Sequence, residues 1–249
     1  MITLPAETIH QSGSTTHRVS VVIALYNYER HIEETLDSVA AQTTRDVTII
    51  VVDDRSTDNS LASARGWMRR NRDPRLGMLL LSHRENAGVS IARNTGIAAA
   101  RSEFCFMLDA DNLLYPRCIE KHAAALDARP DAAAAYSLIE VFEGDRDVLG
   151  AGVFAQEGLI NGNFIDVMAL YRRSALLGLN GFEKIRYGWE DYDLWLRILE
   201  SGAMALHIPE ITARYRHHRS SMIRTEQHST SVIALHKELA RRHPWLNLH

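Results

Sequence analysis

Two carboxylates separated by one small residue, Asp109-Ala110-Asp111, stand between the apolar run Phe104-Cys105-Phe106-Met107-Leu108 and the segment Asn112-Leu113-Leu114-Tyr115-Pro116. Residues two apart on an extended chain point the same way, so both acids could address one cation while Ala110 leaves room. Hard divalent ions such as Mg²⁺ take one or two carboxylates and complete their shell with water and substrate phosphate. A pair of solvated loop acids is the plainer alternative. Asp53 and Asp54 follow another buried run, Val47 to Val52. Adjacent acids repel unless a donor lies nearby, and the ring N–H of a base is a suitable one. A third acidic group, Glu190-Asp191 with Asp193, follows Trp189. These acids fit a helix N-terminus as dipole partners. An acid beside Trp189 in a partly apolar pocket is also made more basic, which suits proton abstraction. Arg93, one turn inside the helix begun by Asn86-Ala87-Gly88-Val89-Ser90, could pair with such an acid or with a phosphate.

The elements that must position these groups alternate. Val19 to Leu25, Val47 to Val52, Gly77 to Leu81 and Phe104 to Leu108 read as strands. Glu29 to Ala41, Leu61 to Arg70 and Val89 to Ala100 read as helices between them. This β/α alternation predicts a mostly parallel α/β sheet with helices on both faces, whose ligands bind beyond the carboxyl ends of the strands. Tyr26-Asn27-Tyr28, Asp53-Asp54 and Asp109-Ala110-Asp111 all fall at those ends. Pro116 to Ala128 reads as a helix, Ala132 to Val141 as a strand, and Val148 to Phe154 as its partner. From 142 to 188 glycines break the pattern, predicting a smaller mixed region with a substrate-binding rim. Asn161-Gly162-Asn163-Phe164 reads there as a turn. Ala203 to Ile208 and Ile211 to Tyr215 read as two closing strands, and Ser229 to Arg242 as an amphipathic helix before Pro244.

The 249 residues, 46% hydrophobic and 24% charged, have the composition of a globular α/β domain. A net charge of -3 argues against nucleic acid as a partner. No apolar run reaches the roughly 20 residues of a membrane span. Residues 1–18 lack the pattern of a signal peptide and read as a flexible polar tail. Cys105 and Cys118 have neither metal-ligand spacing nor scaffold density, which suits a cytoplasmic location. Arg214 to Arg224 concentrates positive charge that could meet a diphosphate, a metal through an imidazole, or anionic lipid at the inner face of a membrane. A surface loop would look the same.

The ordered set of clusters resembles the family-2 inverting glycosyltransferases of the GT-A (Rossmann-like) fold. Five segments carry the resemblance: Val19-Ser20-Val21-Val22-Ile23 with Tyr26-Asn27; Val51-Val52-Asp53-Asp54 with Ser56-Thr57-Asp58; Asn86 to Gly96; Asp109-Ala110-Asp111; and Trp189-Glu190-Asp191 with Leu194-Trp195. It implies a tail over 1–18, a glycosyltransferase domain over 19–225 with a nucleotide-binding half (19–115) and an acceptor-binding half (116–225), and a C-terminal helix over 226–249. It further implies that Ala24 and Tyr26 border the nucleotide base, that Asp54 accepts from a pyrimidine N–H, and that Arg93 fixes that end. Asp109 would lie near ribose and metal, and Asp111 would ligate the Mg²⁺ or Mn²⁺ that bridges the diphosphate. Asp191 would be the general base with Glu190 beside it. Tyr215, Arg216, His218 and Ser221 would close over the diphosphate, His218 with reach to the metal. The implied partners are a UDP- or dTDP-linked sugar donor and a hydroxyl acceptor such as a glycan, lipid-linked sugar or small molecule. Ala24 and Arg55 depart from the family pattern, Arg55 standing where a small residue, commonly Gly, is usual. The Gln-x-x-Arg-Trp signature of processive members is absent, so one sugar per reaction is expected. A sugar-phosphate nucleotidyltransferase lacks support because no Gly-rich basic loop follows the first strand. A non-catalytic sugar-nucleotide-binding module would not need Asp109, Asp111, Glu190 and Asp191 together.

Overall fold

The computed structural model describes residues 1–44, 46–71, 73–144, 146–185, 188–217 and 229–247. Its elements in chain order are β1 (Ala6–Ser12), β2 (Val19–Leu25), α1 (Ile32–Ala40), β3 (Val47–Asp53), α2 (Ser60–Arg70), β4 (Leu76–His83), α3 (Val89–Ala99), β5 (Phe104–Asp109) and β6 (Leu113–Leu114). There follow α4 (Cys118–Ala128), β7 (Ala132–Phe142), β8 (Val148–Leu149), α5 (Gln156–Leu159), β9 (Ala169–Arg172), α6 (Arg173–Gly178), α7 (Glu190–Glu200), β10 (Met204–Arg216) and α8 (Ser229–Arg242).

Among the described residues ten strands form one sheet in the order β1-β4-β3-β2-β5-β9-β7-β10-β6, with β8 on β7. The block β4-β3-β2-β5 is parallel throughout. Its strands are buried along nearly their whole length, as continuous Val/Ile/Leu runs require when both faces are covered. β9 runs antiparallel to both β5 and β7, and so joins the nucleotide-side block to the parallel pair β7-β10. The sheet therefore continues without a break across residue 116. Helices α1, α2 and α4 cover one face around Leu36, Trp67 and Ile119. Helices α3, α7 and α8 cover the other around Ala92, Trp195 and Leu239.

The predicted tail over 1–18 is corrected by β1, which pairs antiparallel with β4 from Ala6↔His83 to Ser12↔Met78. Its polar alternation, Ala-Glu-Thr-Ile-His-Gln-Ser, is that of an edge strand with a wet face. The two closing strands are one, β10, whose register on β7 shifts between Ile208 and Ile211. Pro209 lies in that shift and cannot donate to the ladder, so the irregularity sits where the sequence shows a break. The predicted C-terminal helix does not stand apart, because Leu235 and Leu239 of α8 are buried in the second core. No helix among the described residues is long and apolar enough to cross a membrane.

Candidate active site

Strand register brings the first groups into line. Ala24 pairs with Asp109 of β5 on one side and with Val52 of β3 on the other, so Tyr26, Asp54 and Asp111 emerge at one sheet edge. There a cavity of about 1090 Å³ is lined by Ala24, Tyr26, Asp54, Arg93, Asp109, Asp111, Glu190 and Asp191, all predicted site residues. Tyr215 lines it as well, as do Asn163 and Asp166, which were not expected there, and Val232 and Leu235 of α8. Six of the lining side chains are carboxylic acids, and Arg93 is the one cation among the described lining residues.

The turn Asp109-Ala110-Asp111 is fixed from behind. Thr35 Oγ1 donates to Ala110 O at 3.0 Å, Asn112 N to Asp109 O at 3.2 Å, and Arg216 Nε to Asp111 O at 2.9 Å. The Tyr28 hydroxyl hydrogen-bonds the Asp111 carboxylate. Arg216 is buried, its guanidinium shared by Glu34 and Glu143 and stacked on Phe142 at 4.6 Å. It buttresses the acidic turn from behind. His218 and Ser221 lie outside the described residues.

Asp54 is fully engaged within the protein. Its carboxylate accepts from Gly88 N at 2.7 Å and Ala87 N at 3.0 Å, and meets His83 Nδ1 at 2.7 Å. Asn86 Nδ2 donates to Asp54 O at 3.0 Å. Asp54 thus shapes the loop that opens α3 and lines the cavity. Asp53 behaves likewise, taking Ser82 Oγ at 3.2 Å and Ser56 N at 3.4 Å. Arg55 adopts φ +63°, a left-handed conformation in which glycine is unstrained. That explains why a small residue is usual at this position.

Arg93 pairs with acids of the cavity, one of the two kinds of partner expected for it. α3 lies so close on β2 that a Cβ at Gly96 would come within 2.4 Å of Val22, and on the same helix Arg93 is buried and lines the cavity. There it donates to Asp109 at 2.7 Å and to Glu190 at 2.5 Å, with its guanidinium 5.2 Å over the Phe182 ring. Burial opposes its charge, but Asp109 and Glu190 outweigh burial and hold the guanidinium firmly protonated. Arg93 therefore locks the acidic turn of β5 to the start of α7.

Gly188 at φ +88° and Trp189 at φ +61° turn the chain sharply into α7, so Glu190 and Asp191 occupy its first turn. Trp189 packs edge-on against Tyr192 at 5.7 Å. Glu190 is consumed by Arg93, whereas Asp191 has no ion pair among the described residues. It accepts from Tyr192 N at 2.7 Å and Asn163 Nδ2 at 3.1 Å. Burial, then the neighbouring Glu190 charge, pushes its carboxyl up to about 7. Asp166 is a second raised acid, lifted by burial and then by Asp109, and it accepts Met168 N at 2.8 Å. Neither Asn163 nor Asp166 was legible as a site residue. Asn161-Gly162-Asn163-Phe164 announces a turn, and only the fold shows that the turn faces Asp191.

The donor set suits a hard divalent cation in part. Among the described residues no group of three or more potential ligands is arranged to hold a metal by itself. Asp109 is tied to Arg93, leaving Asp111 as the carboxylate able to anchor an ion that draws its other ligands from phosphate and water. The surplus of carboxylates over cations points the same way, because a diphosphate would be repelled from this cavity without a counter-cation.

The family model described as glycosyl transferase family 2 matches residues 20–178, more than half the chain. The putative glycosyltransferase EpsE of Bacillus subtilis is 27% identical over 206 residues, covering 80% of this chain and 73% of its own length. The UDP-Glc:alpha-D-GlcNAc-diphosphoundecaprenol beta-1,3-glucosyltransferase WfaP of Escherichia coli is 26% identical over 208 residues, with coverage of 82% and 79%. Among solved structures, S. aureus TarS in complex with UDP-GlcNAc superposes with a TM-score of 0.73 at 17% identity, over 90% of this chain and 66% of that one. The mannosyltransferase PcManGT from Pyrobaculum calidifontis, in complex with GDP-Man and Mn²⁺, gives 0.70 at 23% identity, with coverage of 92% and 66%. This chain thus spans just under two thirds of each solved chain. The likeness establishes the GT-A fold.

Proposed function

Because this chain belongs to glycosyl transferase family 2, we propose that it moves one sugar from a nucleoside-diphosphate sugar to a hydroxyl acceptor, with inversion, during surface-polysaccharide or glycoconjugate synthesis. The observation that carries this reading is the single cavity in which the acidic turn of β5 and an acid without an ion pair at the start of α7 meet. Half-exposed Tyr26 and small Ala24 offer a flat surface and room for a base at one end. Asp191 lines the same cavity and would meet the acceptor hydroxyl there. The names of WfaP and TarS support a UDP-linked donor, that of PcManGT a GDP-linked one, and that of WfaP a lipid-linked glycan acceptor.

Asp191 takes the proton of the acceptor hydroxyl, whose oxygen attacks the anomeric carbon as the bond to the nucleoside diphosphate breaks on the opposite side. Glu190 remains paired with Arg93, so the α7 start stays registered to the acidic turn during the displacement. Asp111 would hold Mg²⁺ or Mn²⁺. When bound, that ion supplies Lewis-acid neutralisation of the departing diphosphate.

The test is a thermal-shift panel of uridine, thymidine and guanosine diphosphates and their sugars, with and without Mn²⁺, followed by product analysis. A ligand at 100 times its dissociation constant stabilises by about 2.7 kcal/mol. For a chain of this size that is a rise of roughly 5–11 °C. Asp111→Ala should abolish the Mn²⁺-dependent part of the shift. A wild-type protein indifferent to the whole panel would refute the donor assignment.

A further inference from the structure

Asp191 receives one hydrogen bond from its own helix and one from a loop 28 positions away in sequence. The loop partner is held in a single sense. Asn163 Oδ1 accepts Ile165 N at 3.1 Å while Asn163 Nδ2 donates to Asp191 Oδ2 at 3.1 Å. Flipping the amide would set oxygen against carboxylate and NH₂ against N–H, so both contacts dictate the same orientation. The loop is itself anchored. Phe164 lies so near Gly152 that a Cβ there would come within 2.5 Å of the ring, and Gly150 N donates to Phe164 O at 3.1 Å.

We propose that Asn163 is the positioning residue of Asp191: its locked amide orients the carboxylate toward the cavity and favours the ionised form that can take a proton. The inference rests on the reading of Asp191 as the base. Of the other side chains around Asp191, Arg93 on α3 favours the ionised form through its charge but makes its hydrogen bonds to Asp109 and Glu190, so it does not orient the carboxylate. Glu190 on α7, Asp109 on β5 and Asp166 in the same loop are acids that oppose its ionisation. Tyr171 of β9 and Tyr215 of β10 feel the same negative field and are raised, first by burial. The neutral Asn163 amide thus supplies a hydrogen bond to the charged form without neutralising it, which leaves Asp191 able to act as a base near neutral pH.

The test is carboxyl ¹³C titration of the whole protein without ligand, Asp191 being assigned by the signal lost in Asp191→Asn. Asn163→Ala should move the Asp191 midpoint up by roughly one pH unit, the loss expected for one hydrogen bond to a charged group. Asn163→Asp, which keeps the shape but adds a carboxylate at the same place, should move it further. The acid limb of UDP-N-acetylglucosamine, UDP-glucose or GDP-mannose hydrolysis with Mn²⁺, water standing in for the acceptor, should follow in the same order. In Asn163→Ala the thermal shift given by the same donors should stay at its wild-type size. An Asp191 midpoint unmoved in both variants overturns the positioning role even where turnover falls. Asp191→Asn with wild-type transfer overturns the base assignment instead, so the two failures are told apart.

Discussion

Asp191 and Asp193 stand two residues apart in the first turn of α7, share its dipole, and live in opposite electrostatic worlds. Asp193 is 0% exposed and points away from the cavity, where Arg197 Nε donates at 2.7 Å, His243 Nε2 lies at 3.2 Å and Arg242 Nη1 at 3.5 Å. Burial alone would raise its carboxyl, but the hydrogen bonds from His243 and Arg197 hold it below the usual carboxylate range. Asp191 is raised to about 7 by burial and Glu190, with no cation bound to it among the described residues. The helix terminus therefore does not decide what an acid does there. The side chains that the rest of the fold delivers decide it: one face of α7 is a structural anchor and the other is chemically poised.

The largest expected effect separates the two by activity. Asp191→Asn should lower transfer by about 10²–10⁴-fold, the usual contribution of a positioned base, with donor binding retained. Steady-state turnover beside the donor-induced thermal shift checks both halves. Asp193→Ala should act on stability, by up to about 3–5 kcal/mol, because it strips the partner from partly buried Arg197 on α7 and from buried His243 just past α8. Denaturant unfolding would show this, and a loss below 1 kcal/mol would remove the contrast.

The pH dependence should carry opposite signs. Asp191 has a raised pKa, so between about 4 and about 7 the unfolded chain has released a proton that the folded one keeps, and stability falls as pH rises. In Asp191→Asn that decline should shrink to the part that raised Asp166 contributes, leaving the variant more stable than wild type at pH 8 and converging with it near pH 4. Asp193 is depressed, so its contribution is present above the unfolded carboxylate pKa and lost as pH falls through the folded value. Its partner His243 is raised; burial opposes the charge, but Asp193 and Glu200 outweigh it. The His243 contribution is complete below the usual histidine pKa and lost as pH rises through the folded one. Melting temperatures of wild type and both Asp variants across pH 4–9 would resolve the signs.

The smallest effect concerns a residue that touches neither acid. Arg55→Gly should relieve a left-handed position worth about 1–2 kcal/mol and give back up to about 1 kcal/mol in unfolded-chain entropy. The net should be a rise in Tm of a few degrees at most. Unchanged nucleotide preference in that variant would show the departure from glycine to be one of backbone alone.

The parallel block was legible because β2, β3, β4 and β5 are buried on both faces, which writes continuous apolar runs into the sequence. The same burial makes Asp109-Ala110-Asp111 conspicuous as the place where such a run stops. β1 was not legible, since an edge strand with a wet face has the composition of a tail. The sequence shows that Arg93 could pair with an acid but not with which, because its partners are distant along the chain: Glu190 lies 97 positions away and Asp109 16. Asn163 and Asp166 escaped notice for a related reason. Their significance comes from tertiary placement beside Asp191, and a local turn signal carries none of that.

β1 has a practical consequence for anyone shortening the chain. A polar N-terminal segment invites removal, yet deleting residues 1–18 would strip the cover from Leu76–His83 and expose a row of unpaired backbone groups on an apolar strand. It would also take away Ile2, whose carbonyl accepts Asn94 Nδ2 at 3.0 Å on the helix that carries Arg93. A naked strand edge of that kind recruits other chains, so the trimmed protein should self-associate before it loses its cavity.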